Sequence, residues 1–317
     1  MGSPNFDLHH FKDSQKTVRI HRNFYQDAKR LRGYFEEVFG TPLKADSRRF
    51  CWDPWSIPGQ YRLLRTPAES FFPKSLFTPF LDRLLTWGRS QLGCQMISHP
   101  WLSAYQDGCF QNLHSDVPHG PFSFVFSLTP WKQRKFQGGE TLISKPTLLR
   151  YFAEMDSGQS HEERDLITAL PPAFNQLTVF DPRFPHGVRQ VNGVETILDS
   201  RLVIHGWFTD PRPMLEGALP LKKILKPMDA FAEGILGTLG SHQLYSGLLT
   251  LRVHIKESGD IGGVEILVAN LLDSIGRPAP RKLLNQAILQ TAFSGERIRF
   301  PRSTGKTMIT LPLLFQR

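Results

Sequence analysis

His114 and Asp116 stand two residues apart in QNLHSDVPHGPFSFVFSLTPW (111–131), and both side chains can give an electron pair to a cation. Alternate residues of a β-strand share a face, so at this spacing an imidazole and a carboxylate point the same way. An HxD pair also arises by chance, and these two groups could equally hydrogen-bond to each other or to solvent. The best third ligand is His186, which follows VFDPRFP and precedes GVRQV at the mouth of a tight turn. Two imidazoles and one carboxylate on one side of a metal leave coordination positions free, a set that suits Fe(II).

The elements that must hold these residues are short. From about residue 95 to 210 the β-like runs WLSAYQ, FSFVFSLT, ETLIS, QLTVFD, GVRQV and RLVIHGWF alternate with the turn signals QDG, GG, DPRFPHG and VNG. Phe122, Phe124 and Phe126 read as barrel packing. Residues 18–39 begin as a strand and become an amphipathic helix carrying Leu31, Tyr34, Phe35 and Phe39. CWDPWSIPGQY (51–61) reads as a structured loop, and residues 77–93 as a second helix with Gly93 as its C-cap. The predicted architecture is α+β: an antiparallel barrel or double sheet buttressed by N-terminal helices. One long interruption, 145–175, is expected to form a lid or a substrate-facing insertion.

Residues 209–227 are Pro-rich and read as a connection. Beyond them come strand LLTLRVHIK, turn ESGDIGG, strand VEILVANLL, helix RKLLNQAILQTAFSG and strands RIRFPR and TMITLPLLF, a small ββαβ unit. The predicted domains are 1–210 for the barrel, 211–245 as linker and 246–317 as a small accessory domain.

Composition bounds the function. In 317 residues, 40% are apolar, with 24 Phe and 6 Trp, enough for a sizeable core. The net charge of +9 could attract an acidic partner, but no run of five Lys/Arg occurs, which argues against nucleic acid. MGSPNFDLHHFKD has no apolar core of a signal peptide, and no window reaches 18 consecutive apolar residues, so no membrane partner is expected. The sixth position carries no Ser or Thr to support myristoylation of Gly2. Cys51, Cys94 and Cys109 lack CxxC spacing and read as thiols of a reducing cytosol, hence a cytoplasmic protein without a cysteine zinc site.

Four pieces in order, YQDGCFQNLHSD (105–116), GGETLI (138–143), LTVFDPRFPHGVRQV (177–191) and SRLVIHGWF (200–208), resemble the Fe(II)- and 2-oxoglutarate-dependent dioxygenases. The resemblance is to their prolyl-4-hydroxylase-like branch, covers about 110 residues, and implies that the barrel is a double-stranded β-helix (jelly-roll, cupin-like). It implies that His114, Asp116 and His186 hold Fe(II), and that Arg201 pairs with the distal carboxylate of 2-oxoglutarate. The interval from His186 to Arg201 is longer than the family's usual spacing, the surplus falling in VNGVETILD. Tyr105 matches a position from which family members send a hydroxyl to 2-oxoglutarate, and Thr141 and Ser127 are weaker candidates for that pocket. Strand alternation places Val203, His205 and Trp207 on the face of Arg201. His205 then lines the 2-oxoglutarate pocket or packs as core, and Trp207 shapes the substrate mouth or packs as core.

The implied activity is an oxygenase that uses O2 and 2-oxoglutarate, with ascorbate as a supporting reductant. It would hydroxylate an unactivated C–H bond, in an amino-acid or peptidyl side chain, and release succinate and CO2. Two rivals remain at this point. An AlkB-type nucleic-acid demethylase would suit the charge, but Trp207 stands where that group carries a second arginine. A non-catalytic binding module on the same barrel would be expected to have lost a ligand. The C-terminal segment resembles TonB C-terminal-like domains in GDIGGVEILVAN, LLNQAILQTAFSGERIRFPR and GKTMITLPLLF. That likeness implies a module for protein interaction or oligomerisation.

Overall fold

The structure is a computed structural model that describes residues 15–41, 43–148, 160–240, 244–293 and 298–315. The chain divides into two compact units. The first comprises Val18–Thr86 and Met96–Thr209; the second comprises Trp87–Gln95, the residues from Asp210 onward and a short N-terminal stretch ending at Thr17.

Alternating apolar and small residues make the first unit a sheet protein. Its strands and helices are β1 (Val18–Arg22), α1 (Ala28–Gly40), β2 (Asp53–Ile57), β3 (Tyr61–Pro67), α2 (Lys74–Leu92, counted here up to Thr86), β4 (Cys94–Ile97, counted here from Met96) and β5 (Trp101–Tyr105). They continue with β6 (Phe110–His114), β7 (Phe122–Ser127), β8 (Thr141–Ser144), β9 (Ile167–Leu170), β10 (Gln176–Phe180), β11 (His186–Val188) and β12 (Arg201–Pro211). The strands run in the order β1-β10-β7-β12-β5-β3-β6-β11-β8-β9, with β2 beside β3. Neighbours distant in sequence, all antiparallel in the pairs described, curl this sheet into a half-barrel of the double-stranded β-helix type.

The helices cover the face opposite the site. Phe124 and Phe126 are completely buried, and Phe126 meets Phe80 of α2 with ring centroids 4.7 Å apart. Phe35 of α1 packs against Phe71 at 5.9 Å. Each such ring contributes about 1.5–3 kcal/mol relative to exposure. Because β7 alternates, seating its phenylalanines beneath the helices turns Ser123 and Val125 into the half-barrel.

Two segments differ from expectation. CWDPWSIPGQY is a β-hairpin and not a loop: Gly59 has φ +73° after Pro58, and Gln60 N–H closes the turn on Ile57 O at 3.0 Å. Pro then Gly at the centre of a turn is the type II signature. Of 145–175, Ile167–Leu170 is sheet, with Leu170 opposite Thr141. Its centre, 149–159, lies outside the described residues, and the expected lid with it.

The second unit is a four-stranded antiparallel sheet, β13 (Met214–Gly217), β14 (Gly247–Ile255), β15 (Ile261–Ala269) and β16 (Thr307–Phe315), in the order β13-β16-β14-β15. Helices α3 (Leu221–Gly240) and α4 (Arg281–Phe293) pack on it through Ile224, Phe231, Ile235, Leu284 and Ile288. The predicted linker 211–245 therefore holds a strand and a helix of 20 residues. Its prolines suggested a breaker, but Ile224, Met228, Phe231, Ile235 and Leu239 form one helical stripe, and burial of that stripe outweighs Pro227. The TonB-like resemblance finds no support, since this sheet takes its edge strand and its longer helix from residues that reading left out. RIRFPR is not a strand either: residues 298–302, interrupted by Pro301, are irregular. Among the described residues, no helix is long and apolar enough to cross a membrane.

Candidate active site

β11 pairs with β6 so that His186 lies directly opposite His114. Gly187 makes that approach possible, because a Cβ there would stand 2.5 Å from the Gln111 carbonyl oxygen. Asp116 is not on the strand. β6 ends at His114, and Asp116 sits in the turn before Val117–His119, its N–H donating to Pro182 O at 3.1 Å. The HxD pair is thus brought together by a strand end and a turn, not by strand alternation alone, because Pro118 stops the strand.

The three side chains offer ligand atoms that all lie within 4.8 Å of one another. His186 Nε2 is 3.2 Å from one Asp116 oxygen, and His114 Nε2 is 3.7 Å from the other. Both histidines have Nδ1 within hydrogen-bond distance of the carbonyl two residues upstream: His114 on Asn112 O at 2.8 Å, His186 on Phe184 O at 3.0 Å. A carbonyl can only accept, so each Nδ1 carries a proton and each Nε2 is turned toward Asp116, where it can give its lone pair to a metal ion in place of a contact with the carboxylate. This outer anchoring is what a metal-binding histidine requires. Burial would raise the Asp116 pKa, but the His186 hydrogen bond and the charges of His186, His114 and His119 outweigh it and hold the carboxyl below its usual range. Trp207 Nε1–H donates to the same carboxylate at 3.3 Å, and its ring lies against His119 with centroids 4.4 Å apart.

A cavity of about 390 Å³ opens from these ligands into the half-barrel. Arg201 lies in it, only 1% exposed. Its Nε–H donates to Gly139 O at 2.8 Å and one Nη to Thr141 Oγ1 at 3.0 Å, while Nη1 has no partner. Among the described residues no carboxylate forms an ion pair with it. Burial pushes its pKa down, yet a guanidinium stays charged. Tyr105, opposite Arg201 in the β5–β12 register, has its ring 4.5 Å from the guanidinium carbon. Burial drives its phenol pKa up to about 12, and the hydroxyl donates to Gln111 Oε1 at 2.8 Å.

Of the remaining expected residues, Thr141, Val203, His205 and Trp207 all line the cavity. His205 Nε2 lies 2.8 Å from Ser103 Oγ, and burial lowers its pKa to about 4, so the ring is neutral. Ser127 does not line the cavity. At the far end of β7, its hydroxyl donates to Pro172 O at 2.7 Å and accepts from Thr129 N–H. Sequence reasoning missed Gln111, and it missed Arg65 with its neighbours Trp55 and Trp101. The signal for the latter was the Pro-Gly turn, which makes a hairpin whose alternate residues face the cavity.

Residues 100–209 match the sequence profile of the 2OG-Fe(II) oxygenase superfamily. No curated protein matches the chain. Among solved structures, a Pseudomonas putida prolyl-4-hydroxylase is similar at 17% identity and TM-score 0.41, over 61% of this chain and 93% of that one. A 2OG-Fe(II) oxygenase family oxidoreductase from Burkholderia pseudomallei aligns at 14% identity and TM-score 0.38, over 60% and 84% of the two chains. HygX from Streptomyces hygroscopicus, solved with nickel and 2-oxoglutarate, aligns at 13% and 0.40, over 64% and 86%.

The residues of the site fit both groups that the matched superfamily profile implies. Two imidazole Nε2 lone pairs and one carboxylate are the donor set of a non-haem Fe(II) site. The unpartnered Nη1 of a buried arginine is a cation waiting for an acceptor, which a carboxylate of 2-oxoglutarate supplies.

Proposed function

We propose that the protein is a 2-oxoglutarate-dependent hydroxylase of an unactivated C–H bond in an amino-acid or peptidyl side chain. The observation that carries this reading is the single cavity holding both the His114–Asp116–His186 cluster and the unpartnered guanidinium of Arg201. When bound there, Fe(II) and 2-oxoglutarate supply oxidative decarboxylation to succinate and CO2, coupled to insertion of oxygen from O2 into the substrate C–H bond. The chain's own residues do the rest. Nδ1 anchoring fixes the two imidazoles, and Trp207 fixes the carboxylate between them.

Arg201, aimed by Gly139 O and Thr141, would hold the distal carboxylate of 2-oxoglutarate and so set its orientation. Tyr105, protonated to high pH, would complete that end of the pocket, with Gln111 as the partner that aims its hydroxyl. His205, neutral and bound to Ser103, adds no charge to the pocket wall. The completely buried Phe124 and Leu202 keep water from the back of the site. The order of prolyl-hydroxylase-like motifs across 105–208 supports the amino-acid or peptidyl substrate.

Succinate formation by purified protein with Fe(II), 2-oxoglutarate and ascorbate tests the reading. The expected result is iron-dependent succinate that disappears in His186→Ala, together with its iron binding. Iron-independent turnover, or activity retained in His186→Ala, overturns it.

A further inference from the structure

The cavity holds a second guanidinium for which the oxygenase machinery above has no use. Arg65 of β3 sits between two indoles, its guanidinium carbon 3.8 Å from the Trp55 ring centroid and 4.2 Å from that of Trp101. Stacking of this kind fixes the plane of the guanidinium while leaving its N–H edge unused. That edge is unused here. Nε is buried without a hydrogen-bond partner, and among the described residues Arg65 donates no hydrogen bond. Asp53 approaches Nε only to 3.7 Å and is more than half exposed.

The sheet register fixes where this cation lies. Arg201 stands opposite Tyr105, and one inward-facing row further along, Val203 stands opposite Ser103 and Ser103 opposite Arg65. The next row joins Trp101, His205 and Val125. Arg65 is therefore one layer beyond the arginine assigned to 2-oxoglutarate, on the side of the half-open Trp55. Asp116 is the one carboxylate among the described residues lining the cavity. An Fe(II) ion and the 2-oxoglutarate dianion cancel in charge, as do Asp116 and Arg201. Arg65 remains as the one further positive charge, faced only by the half-exposed Asp53 at 3.7 Å and carrying an oriented donor edge.

We infer that Arg65, clamped by Trp55 and Trp101, is the subsite for a carboxylate of the primary substrate. A carboxylate is preferred to a phosphate because a planar anion coplanar with the guanidinium fits between the same two indoles. A tetrahedral anion would press its out-of-plane oxygens on their faces. This inference rests on the oxygenase reading and narrows its substrate: the hydroxylated molecule presents a free acid, as an amino acid or a peptide C-terminus does, or an acidic side chain.

The test is anaerobic titration of the Fe(II)–2-oxoglutarate protein, read by tryptophan fluorescence. The probes are a pool of the N-acetyl L-amino acids, the matching pool of their primary amides, and phenyl phosphate. The expected result is saturable binding of the acids alone. In Arg65→Met, which keeps the stacked stem and removes the fork, affinity should fall roughly 10- to 150-fold, the scale of a hydrogen-bonded charge pair. Arg65→Lys should recover part of it. Equal binding of amides, tighter binding of the phosphate, no binding of the acid pool, or an unchanged Arg65→Met overturns the inference. Succinate released without added substrate is measured on the same samples. Its presence in both wild type and Arg65→Met confines any failure to the carboxylate subsite, and its absence from wild type counts against the oxygenase reading itself.

Discussion

Arg201 is among the most deeply buried side chains of the first unit, and Phe231 among those of the second. In the second unit the helix-facing side of the sheet, with Leu249, Leu251, Val253, Ile309 and Leu311, packs into one apolar cluster with side chains of α3 and α4. In the first, the concave side of the half-barrel carries Ser103, Thr141, His186, Arg201 and His205. Polar groups withdrawn from water cost stability unless they are partnered. The helix-facing side of the second sheet largely avoids that cost. The first accepts it on one face and recovers stability on the other, where Phe35, Phe71, Phe80 and Phe126 pack beneath the helices. A sheet with one dry aromatic face and one polar concave face is a scaffold for a site; a sheet whose helix-facing side is filled with hydrocarbon is a scaffold for itself.

The sharpest way to break this comparison is to truncate each interior at its centre. Phe231→Ala should cost about 3–5 kcal/mol in urea unfolding of the second unit, with succinate formation per folded molecule unchanged. A catalytic defect in the folded fraction would give the hydrocarbon interior a role in the chemistry.

Acid should separate the two interiors next. His205 has a folded pKa of about 4, below the 6.5 of the unfolded chain. Between those values the unfolded state binds a proton that the folded state does not, so stability is lost as pH falls from about 6.5 toward 4, by roughly 3 kcal/mol. In the His205→Gln variant the fall in urea midpoint between pH 7 and pH 4.5 should be shallower. An identical slope would mean that His205 is charged in the fold.

Arg201→Lys keeps the charge but removes the fork, and should raise the KM for 2-oxoglutarate by roughly 10- to 150-fold with kcat largely retained at saturation. An unchanged KM would reduce Arg201 to a packed residue. The smallest effect is expected of Trp207→Phe. It preserves the ring against His119 but loses the N–H to Asp116, and should weaken iron binding about tenfold by metal titration.

The parts of the site that were legible in the sequence are those fixed by short-range rules. His114 and His186 follow from strands punctuated by turn residues, which also point to an antiparallel barrel or double sheet, whereas Arg201 comes only from the resemblance to the dioxygenases. Asp116 was named correctly and placed incorrectly, because Pro118 ends the strand before the alternation reaches it. Ser127 has the right residue type on the right strand but sits where β7 leaves the cavity, a position that only three-dimensional register reveals. Arg65 was invisible because its meaning depends on Trp55 across a hairpin and Trp101 on another strand, partners 10 and 36 residues away. The helix α3 was obscured by proline, a strong local signal that a long apolar stripe overrode.

Both ligand histidines are clamped to the carbonyl two residues before them, so each ring is held by its own stretch of main chain. The rings need no rotamer search when an ion arrives; the local rearrangement is release of the hydrogen bond between His186 and Asp116. Capture of the ion is therefore expected to be a bimolecular event whose rate rises linearly with metal concentration, without the plateau that a slow conformational step would impose.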